Sequence, residues 1–599
     1  MHSRTWLLIL ALAPAVAQAA PVLFTNPVPI EVEAERAPST GGGLHRGSTV
    51  AHLAAVPLAA VRQQGLHGAQ ADLSVRGGAF NTSGLLLQGV ALRNPQTEHF
   101  QGDLDLPADL FVPARLATGI ERLARTPGHA SGAVVLDLAP IATAGRLLLV
   151  GGEAGQANLR LQQGIASVPE VPGLGLAFFV GLDRLDRTDR LPDNDLRRWN
   201  VGGRGRLQAG DGVIDLLAST SRREFGARGF YGTPAGLPSE EELGNTLALA
   251  SYRRGDRAER DYDSLAGSVN RIEDAYWYEG RDAGAASRHR SDVLTLHGER
   301  IRRLGGRLAL HLRGELTREQ LRSRSLGDHQ RAAGSLAVLP SWTAGPWILT
   351  AGGSVEGFED DKPGWLPALG VVYQPAPRHT LFASYSEAIR LPSYTEYNYN
   401  NPASLGNQGL ERQHTRTGEW GWQWVGDDAR IEIVGFAESS DNSVDWLRLT
   451  PGDTRFQAVN LDTLDRYGVA GDATLRLGPR LDLNLAGLVQ TLRTDTRYHA
   501  SRYLLDAVRQ ELKVEALWQV APGWRLCIWQ NLQRLARNPL RGSGRTHSLM
   551  GSEVRWQPAA ADQVTLTVGV SNLLDDDFEP FVGQPEAERR FYVAADYRW

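Results

Sequence analysis

The sequence predicts an all-β membrane barrel preceded by a smaller domain of mixed α and β structure, and three observations predict it. From about residue 144 onward, apolar and polar residues alternate in short segments broken by turns, the period of a strand with two unlike faces. No stretch is long and apolar enough for a spanning helix, yet the N-terminus has the make-up of an export leader. At 599 residues the chain exceeds one ordinary domain, and its first quarter reads differently, as short strands and polar loops.

The leader has Arg4 as its positive start, Trp6 to Val16 as an apolar core and Ala17-Gln18-Ala19 as a small-residue cleavage site, so removal of about the first 19 residues is expected. A mean hydropathy of -0.28 with 42% hydrophobic residues would suit a soluble protein. A membrane barrel hides its lipid face in alternation, however, so the average does not exclude one. The formal charge of -5 gives no basic footprint for nucleic acid. Cys527 is the single cysteine and has no partner for an intramolecular disulfide. The histidines show neither an H-E-x-x-H pattern nor Cys-His zinc spacing.

Residues 20–49 form a tether. Pro21 to Pro29 is proline-rich, and I-E-V-E-A-E-R-A-P (Ile30 to Pro38) then alternates Ile30, Val32 and Ala34 with Glu31 and Glu33. Such a segment either adds as a strand to a partner's exposed sheet edge or is a leader without a role. Gly41-Gly42-Gly43 supplies a flexible link.

The mixed domain is placed at 50–143. His52 to Gly65 has room for a small helix that Pro57 limits. Leu73 to Arg76 reads as a strand, followed by a Gly77-Gly78 turn, a polar loop and a second strand at Leu85 to Leu87. A tight turn at Gln88-Gly89 then opens a longer loop returning at Asp103. The two loop tips carry Phe80, Asn81 and Thr82, then Arg93, Asn94, Gln96, Thr97, Glu98 and His99. Donors, acceptors and an aromatic ring at adjacent tips suit either a ligand surface or hydrogen bonds that seat the tips.

In the barrel portion, 144–599, Leu310, Leu312 and Leu316 alternate with His311, Arg313 and Glu315. Leucines alternate with Asp482 and Asn484 between Leu481 and Leu485, and Val564, Leu566, Val568 and Val570 oppose Thr565, Thr567, Gly569 and Ser571. Lipid requires the apolar face outside and a polar lumen tolerates the other. The final segment sets Phe591, Val593, Ala595, Tyr597 and Trp599 against Tyr592, Ala594, Asp596 and Arg598. Proline and glycine turns at Thr343 to Pro346, Gln374 to Arg378 and Pro522-Gly523 suit the periplasmic side, and the longer polar stretches suit the exterior.

Among those longer stretches, Phe230 and Tyr231 in R-E-F-G-A-R-G-F-Y-G, with Tyr394 and Tyr397, are either ligand contacts or interfacial aromatics. In L-D-R-L-D-R-T-D-R-L-P-D-N-D, the carboxylates Asp183, Asp186, Asp189, Asp193 and Asp195 could hold calcium, a hard cation. Interleaved Arg184, Arg187 and Arg190 supply the salt-bridge alternative, and the spacing fits no EF-hand. Glu240 and Glu241 follow Pro238-Ser239 and read as a solvated charge run in a loop, not as an acid/base pair. No arrangement of catalytic residues emerges, so the chain is read as a non-enzyme.

Several segments carry a family resemblance. S-V-R-G (Ser74 to Gly77), L-L-L-Q-G-V (Leu85 to Val90), Ile120-Glu121-Arg122 and S-G-A-V-V-L-D-L (Ser131 to Leu138) resemble the plug domain of TonB-dependent outer-membrane receptors. L-F-A-S-Y-S-E-A-I-R-L-P-S-Y-T-E-Y (Leu381 to Tyr397), G-N-Q-G-L-E-R-Q (Gly406 to Gln413) and V-S-N-L-L-D-D-D-F (Val570 to Phe578) resemble that family's barrel motifs. Arg412-Gln413 stands where the family has Pro-Glu, Leu574 where it has Phe, and Leu123 to Pro127 departs from the plug motif.

The resemblance implies a barrel of about 22 strands, roughly 21 residues each with its connection, closed around the plug. It implies that Ile30, Glu31, Val32, Glu33 and Ala34 are the TonB box, pulled by the TonB-type energising protein of the inner membrane. It places the chain in the outer membrane of a Gram-negative-type cell as a monomer in contact with lipid, with Trp599 read by the barrel assembly machinery. The implied activity is energised import of a scarce, large small-molecule or metal-chelate substrate, cobalamin or a ferric siderophore. Cobalamin receptors of the family use calcium in barrel loops, so the acidic cluster leans toward that ligand; no other cofactor is implied. A signalling receptor with little transport is disfavoured by the short stretch 20–49, and a passive porin by the plug.

Overall fold

The computed structural model describes residues 46–599 except 66–68, 100, 101, 103, 127, 187–189, 191, 192, 235, 258–260, 283, 285 and 360. The leader, the segment Ile30 to Ala34 and Asp189 therefore lie outside the described residues.

The alternation is resolved by ring closure. Twenty-two long strands, from Ala144–Gly152 to Arg590–Arg598, pair antiparallel with their neighbours, and the last pairs with the first from Tyr592↔Gly152 to Arg598↔Arg146. Closure leaves no sheet edge, so every spanning backbone group has a partner where water is absent. No helix among the described residues is long and apolar enough to cross a membrane. Leu316, Leu265 and Val568 point outward and are 63%, 62% and 61% exposed. Side chains of that size left in water would each forfeit about 2 kcal/mol, and a lipid surround removes the cost. Leu316→Arg, at mid-strand on that face, is therefore expected to destabilise the barrel by roughly 2–4 kcal/mol. Folding into lipid vesicles, followed by heat-dependent gel mobility, measures it.

The two ends of the barrel differ. At one end neighbouring strands are joined by turns such as 345–346 and 522–523, and aromatic pairs ring the wall there: Trp347 on Tyr373 at 4.1 Å, Trp524 on Trp556 at 5.7 Å and Tyr597 on Trp599 at 5.3 Å. At the other end the connections lengthen to segments such as 391–412, 495–507 and 572–589. Short turns with an aromatic girdle mark the periplasmic end of an outer-membrane barrel, and long loops its outer face. Strands as long as the 21 residues of Phe456–Arg476 exceed the 9–11 or so that a bilayer needs, so their loop-side ends stand clear of lipid.

Inside sits the mixed domain. Helix α1 (Thr49–Ala54), capped by the Ser48 side chain, ends before Pro57, and the chain continues as a strand, β1 (Ala59–Gln64), so helix occupies only the start of the span expected to hold it. β1 pairs with β2 (Gln70–Val75). A second sheet runs β4 (Val90–Leu92), β3 (Ser83–Leu87), β6 (Gly132–Leu136), β5 (Arg115–Ala117), with β3 and β6 parallel. Helix α2 (Gly119–Arg125) lies between β5 and β6 in the chain. The apolar core of this domain, with Leu73, Val75, Leu85 and Val134, continues into the barrel wall through Phe179, Leu217, Leu247, Leu249 and Ala266.

Elsewhere the plug meets the wall through smaller apolar clusters, Leu58 with Phe436 and Leu488 and Leu123 with Leu339 and Leu366, and through polar contacts. Arg76 pairs with Glu419 at 3.0 Å, and its carbonyl accepts from Arg466 at 2.8 Å. Arg122 donates to Ser386 and to the Glu387 carbonyl, Lys513 to the Ala59 carbonyl, and Gln490 to the Gly77 carbonyl. Gly77 adopts a φ of +69°, and a Cβ there would meet the Gln490 amide at 2.4 Å, so the turn needs glycine on both counts.

Candidate functional site

The two plug tips and four barrel loops converge at the long-loop end. The first tip, Phe80–Thr82, is a 3-10 turn; the second, residues 93–99, is a tight loop held by its own polar side chains. Asn94 accepts from the Gln96 amide at 3.2 Å, and Thr97 accepts from the His99 amide at 3.1 Å. These short polar residues satisfy backbone donors that a buried loop would otherwise strand.

The tips meet in a ring stack. Phe80 lies on His99 with centroids 4.0 Å apart, and His99 donates through Nδ1 to Asp72 at 2.8 Å. Tyr503, from the loop 495–507, meets the edges of Phe80 at 5.3 Å and His99 at 5.2 Å. Tyr231, from the loop after strand Gly212–Gly226, stands 6.0 Å from His99 and 5.4 Å from Tyr276. Phe581 closes on Tyr503 at 6.3 Å. Phe80, Tyr231 and Tyr503 keep part of their surface exposed, so the cluster offers several aromatic faces and edges to a ligand entering from the loop side.

A strap joins the second tip to the barrel. After strand His379–Arg390, Ser393 caps α3 (Tyr394–Asn398) in a box with Glu396. The amides of Tyr394 and Thr395 donate to the carbonyls of Pro95 and Gln96 at 3.1 and 2.8 Å. Arg390 spans the joint, 2.6 Å from Glu98 of the plug and 3.0 Å from Glu396 of the loop. Burial pushes the Glu98 carboxyl up to about 7, Arg390 opposing and Glu396 adding to the rise. Gln96 reaches the wall by donating to Asp274 at 2.8 Å.

The candidate residues divide by what they touch. Phe80, His99 and Tyr231 belong to the ring stack; Arg93, Thr97 and Tyr397 are partly exposed, with Arg93 reaching Glu315 of the wall at 3.9 Å and Tyr397 packing against the cluster of Trp446 and Phe456. Asn81 and Thr82 are buried, and Thr82 is committed to Ser131 at 2.9 Å. Asn94 and Gln96 are buried, Asn94 accepting from the Gln96 amide within the loop and the Gln96 side chain donating to Asp274 of the wall. Phe230 is fully buried, packed against Phe225, and Tyr394 is buried between His329 and Arg331. The structure thus seats half of these residues as supports.

The acidic run likewise splits. Asp183 is buried facing the lumen, where Arg160 and Arg198 reach it at 2.9 and 2.7 Å. Arg198 also reaches Asp105 of the plug, as does Arg223 at 2.7 Å, so Asp183 belongs to a plug-anchoring network. Asp186 pairs with Arg184, Asp193 with Arg228, and Asp195 is exposed. Among the described residues, no three His, Cys, Asp or Glu side chains gather as a metal-ligand set.

Glu240 and Glu241 are not the solvated loop pair that their neighbours in the chain suggest. They open the strand Glu240–Asp256, and Glu241 is 1% exposed, accepting from the Tyr231 hydroxyl at 2.8 Å. The strand's period turns every second carboxylate into the lumen, leaving Glu240 and Glu242 outside with Arg281 and Arg222. Tyr503 and Phe581 escaped sequence reasoning; an aromatic in each of two long loops was the available signal.

A family model described as the TonB dependent receptor-like β-barrel matches residues 154–573. The fold is similar to that of the siderophore receptor PirA from Acinetobacter baumannii, at 12% identity and a TM-score of 0.71, covering 91% of this chain and 95% of that one. It is similar to a mutant of the ferric enterobactin receptor PfeA from Pseudomonas aeruginosa, at 16% identity and a TM-score of 0.72, covering 91% and 94%. The FrpB iron transporter from Neisseria meningitidis gives 12%, 0.72, 91% and 95%. At such identities the likeness is one of fold. No curated protein matches the chain at a significant level.

Proposed function

We propose that this chain, which belongs to the TonB-dependent receptor family, imports a ferric chelate of the siderophore type across the outer membrane into the periplasm. As a family member it is an outer-membrane transporter and not an enzyme. The observation that carries the proposal is the convergence of both plug tips with the loop aromatics Tyr231 and Tyr503 at the outer face. A ligand held there touches the plug and the loops at once, so binding outside alters the element that blocks the lumen. Among the proteins of similar fold are siderophore receptors and an iron transporter, which supports an iron chelate over cobalamin as cargo. Calcium at the acidic run gains no support from carboxylates already engaged by arginines.

In this reading Ile30 to Ala34 is the TonB box, and its strand-like alternation gives the energising protein an edge to pair with. Deleting Ile30 to Ala34 is expected to leave equilibrium binding of an iron chelate unchanged and to abolish accumulation of radioactive iron by cells. Uptake that survives the deletion would sink the mechanism.

A further inference from the structure

The outer face is charged unevenly. The segments 448–455, 493–509 and 534–545, which contain three successive long-loop connections, carry ten arginines against three aspartates, with no lysine or glutamate. Across the face, 227–242 carries one arginine against three glutamates. A sector of one sign concentrates counter-ions and steers them inward.

At the centre of that sector two guanidiniums share one ring. Arg502 lies 5.6 Å from the centroid of Phe456, and Arg448 lies 4.8 Å from the same centroid. Arg502 is 5% exposed, and its side-chain partners are neutral and distant: the Tyr503 hydroxyl at 3.4 Å and the Gly229 carbonyl at 3.5 Å. Arg448 donates to the Thr454 carbonyl at 3.4 Å, and its Nε has no partner. Arg502 forms no ion pair with a described residue and Arg448 has only the partly exposed Asp453 within electrostatic reach, whereas the buried Arg198, Arg223 and Arg466 of the lumen each meet a carboxylate. Removing a cation from water without a counter-charge is costly, and a second cation at the same ring adds repulsion. An arriving anion relieves both.

We propose that Arg502 and Arg448 receive an anionic oxygen group of the cargo, so that the receptor selects negatively charged chelates over neutral ones. The inference rests on the transport reading above and adds the charge of what is transported. Tyr503 links the pair to the plug: its ring faces Arg502 at 5.6 Å and His99 at 5.2 Å. An anion docked at Arg502 therefore lies one ring away from the plug tip.

The test uses the full-length receptor folded in detergent and two probes of like size, iron(III) tris-catecholate, a trianion, and iron(III) tris-acetohydroxamate, which is neutral. Tryptophan quenching should show the trianion binding about tenfold or more tighter, with the advantage shrinking as salt rises. Arg502→Gln should weaken the trianion about tenfold and leave the neutral probe unchanged, while Arg502→Lys restores part of the loss. Heat-dependent gel mobility confirms that each variant is folded, and Arg448→Gln supplies a second variant. Equal binding of the two probes, preference for the neutral one, binding of neither, or unchanged trianion affinity in both glutamine variants overturns the proposal. A receptor that imports only neutral cargo, and does so through Ile30 to Ala34, would keep the transport reading and refute this one.

Discussion

Arg76→Ala is expected to raise the opening of the plug roughly a hundredfold or more while the barrel stays closed. Arg76 is buried where the S-V-R-G strand turns, 3.0 Å from Glu419 and 3.8 Å from Glu432 on neighbouring wall strands. Removing one member of a buried ion pair leaves the rest uncompensated, at about 3–5 kcal/mol, which is two decades or more in an opening equilibrium. Hydrogen exchange at the amides of β2 and β3 measures plug opening, and heat-dependent mobility reports the barrel. Unchanged exchange would mean that the wall carboxylates find other partners and that Arg76 does not hold the plug.

The second large effect concerns pH at the strap. Glu98 is held up at about 7 against its usual 4.5, chiefly by burial. The docked loop therefore keeps a proton that a released loop gives up, and the sign follows: docking is strongest below pH 4.5 and weakens as pH rises through 7. The span is roughly 3 kcal/mol. Arg390, Glu396, Arg331 and Arg93 face the same carboxyl, the arginines weakening and Glu396 strengthening its hold on the proton. Glu98→Gln should flatten the slope. The check is the opening free energy of the 96–99 amides, corrected for intrinsic exchange, between pH 4.5 and 8; equal slopes in the two proteins would exclude Glu98 as the titrating group.

Much of the wall was legible because a membrane strand writes its environment into every second residue. Leu310, Leu312 and Leu316 face out, and His311, Arg313 and Glu315 face in; the terminal segment alternates likewise, from Phe591 at 51% exposed to Tyr592 at 3%. The same period, started at Glu240 instead of beyond it, places Glu241 in the lumen. The capping pair Ser393 and Glu396 was also written locally, in P-S-Y-T-E, and could have revealed α3. The site was legible only in halves. His99, Tyr231, Tyr503 and Phe581 come from four distant parts of the chain, and no local pattern states that a closed ring brings them within one ring stack. Nor does sequence reveal that Arg502 lacks a carboxylate when Arg198 and Arg223 have them; that is a fact of three-dimensional neighbours.

The plug core continues into the wall through Phe179, Leu217, Leu247, Leu249 and Ala266, and smaller apolar contacts at Leu58 and Leu123 join it to other strands. Between these lie polar contacts that water can replace one by one, such as Arg76 with Glu419 and Gln490 with the Gly77 carbonyl. At the apolar contacts water gains nothing and exposes surface at about 25 cal/mol for every Å² opened. A pull on the plug therefore meets unequal resistance within one interface: the polar contacts wet and part first, and the oily ones hold the domain to the wall longest.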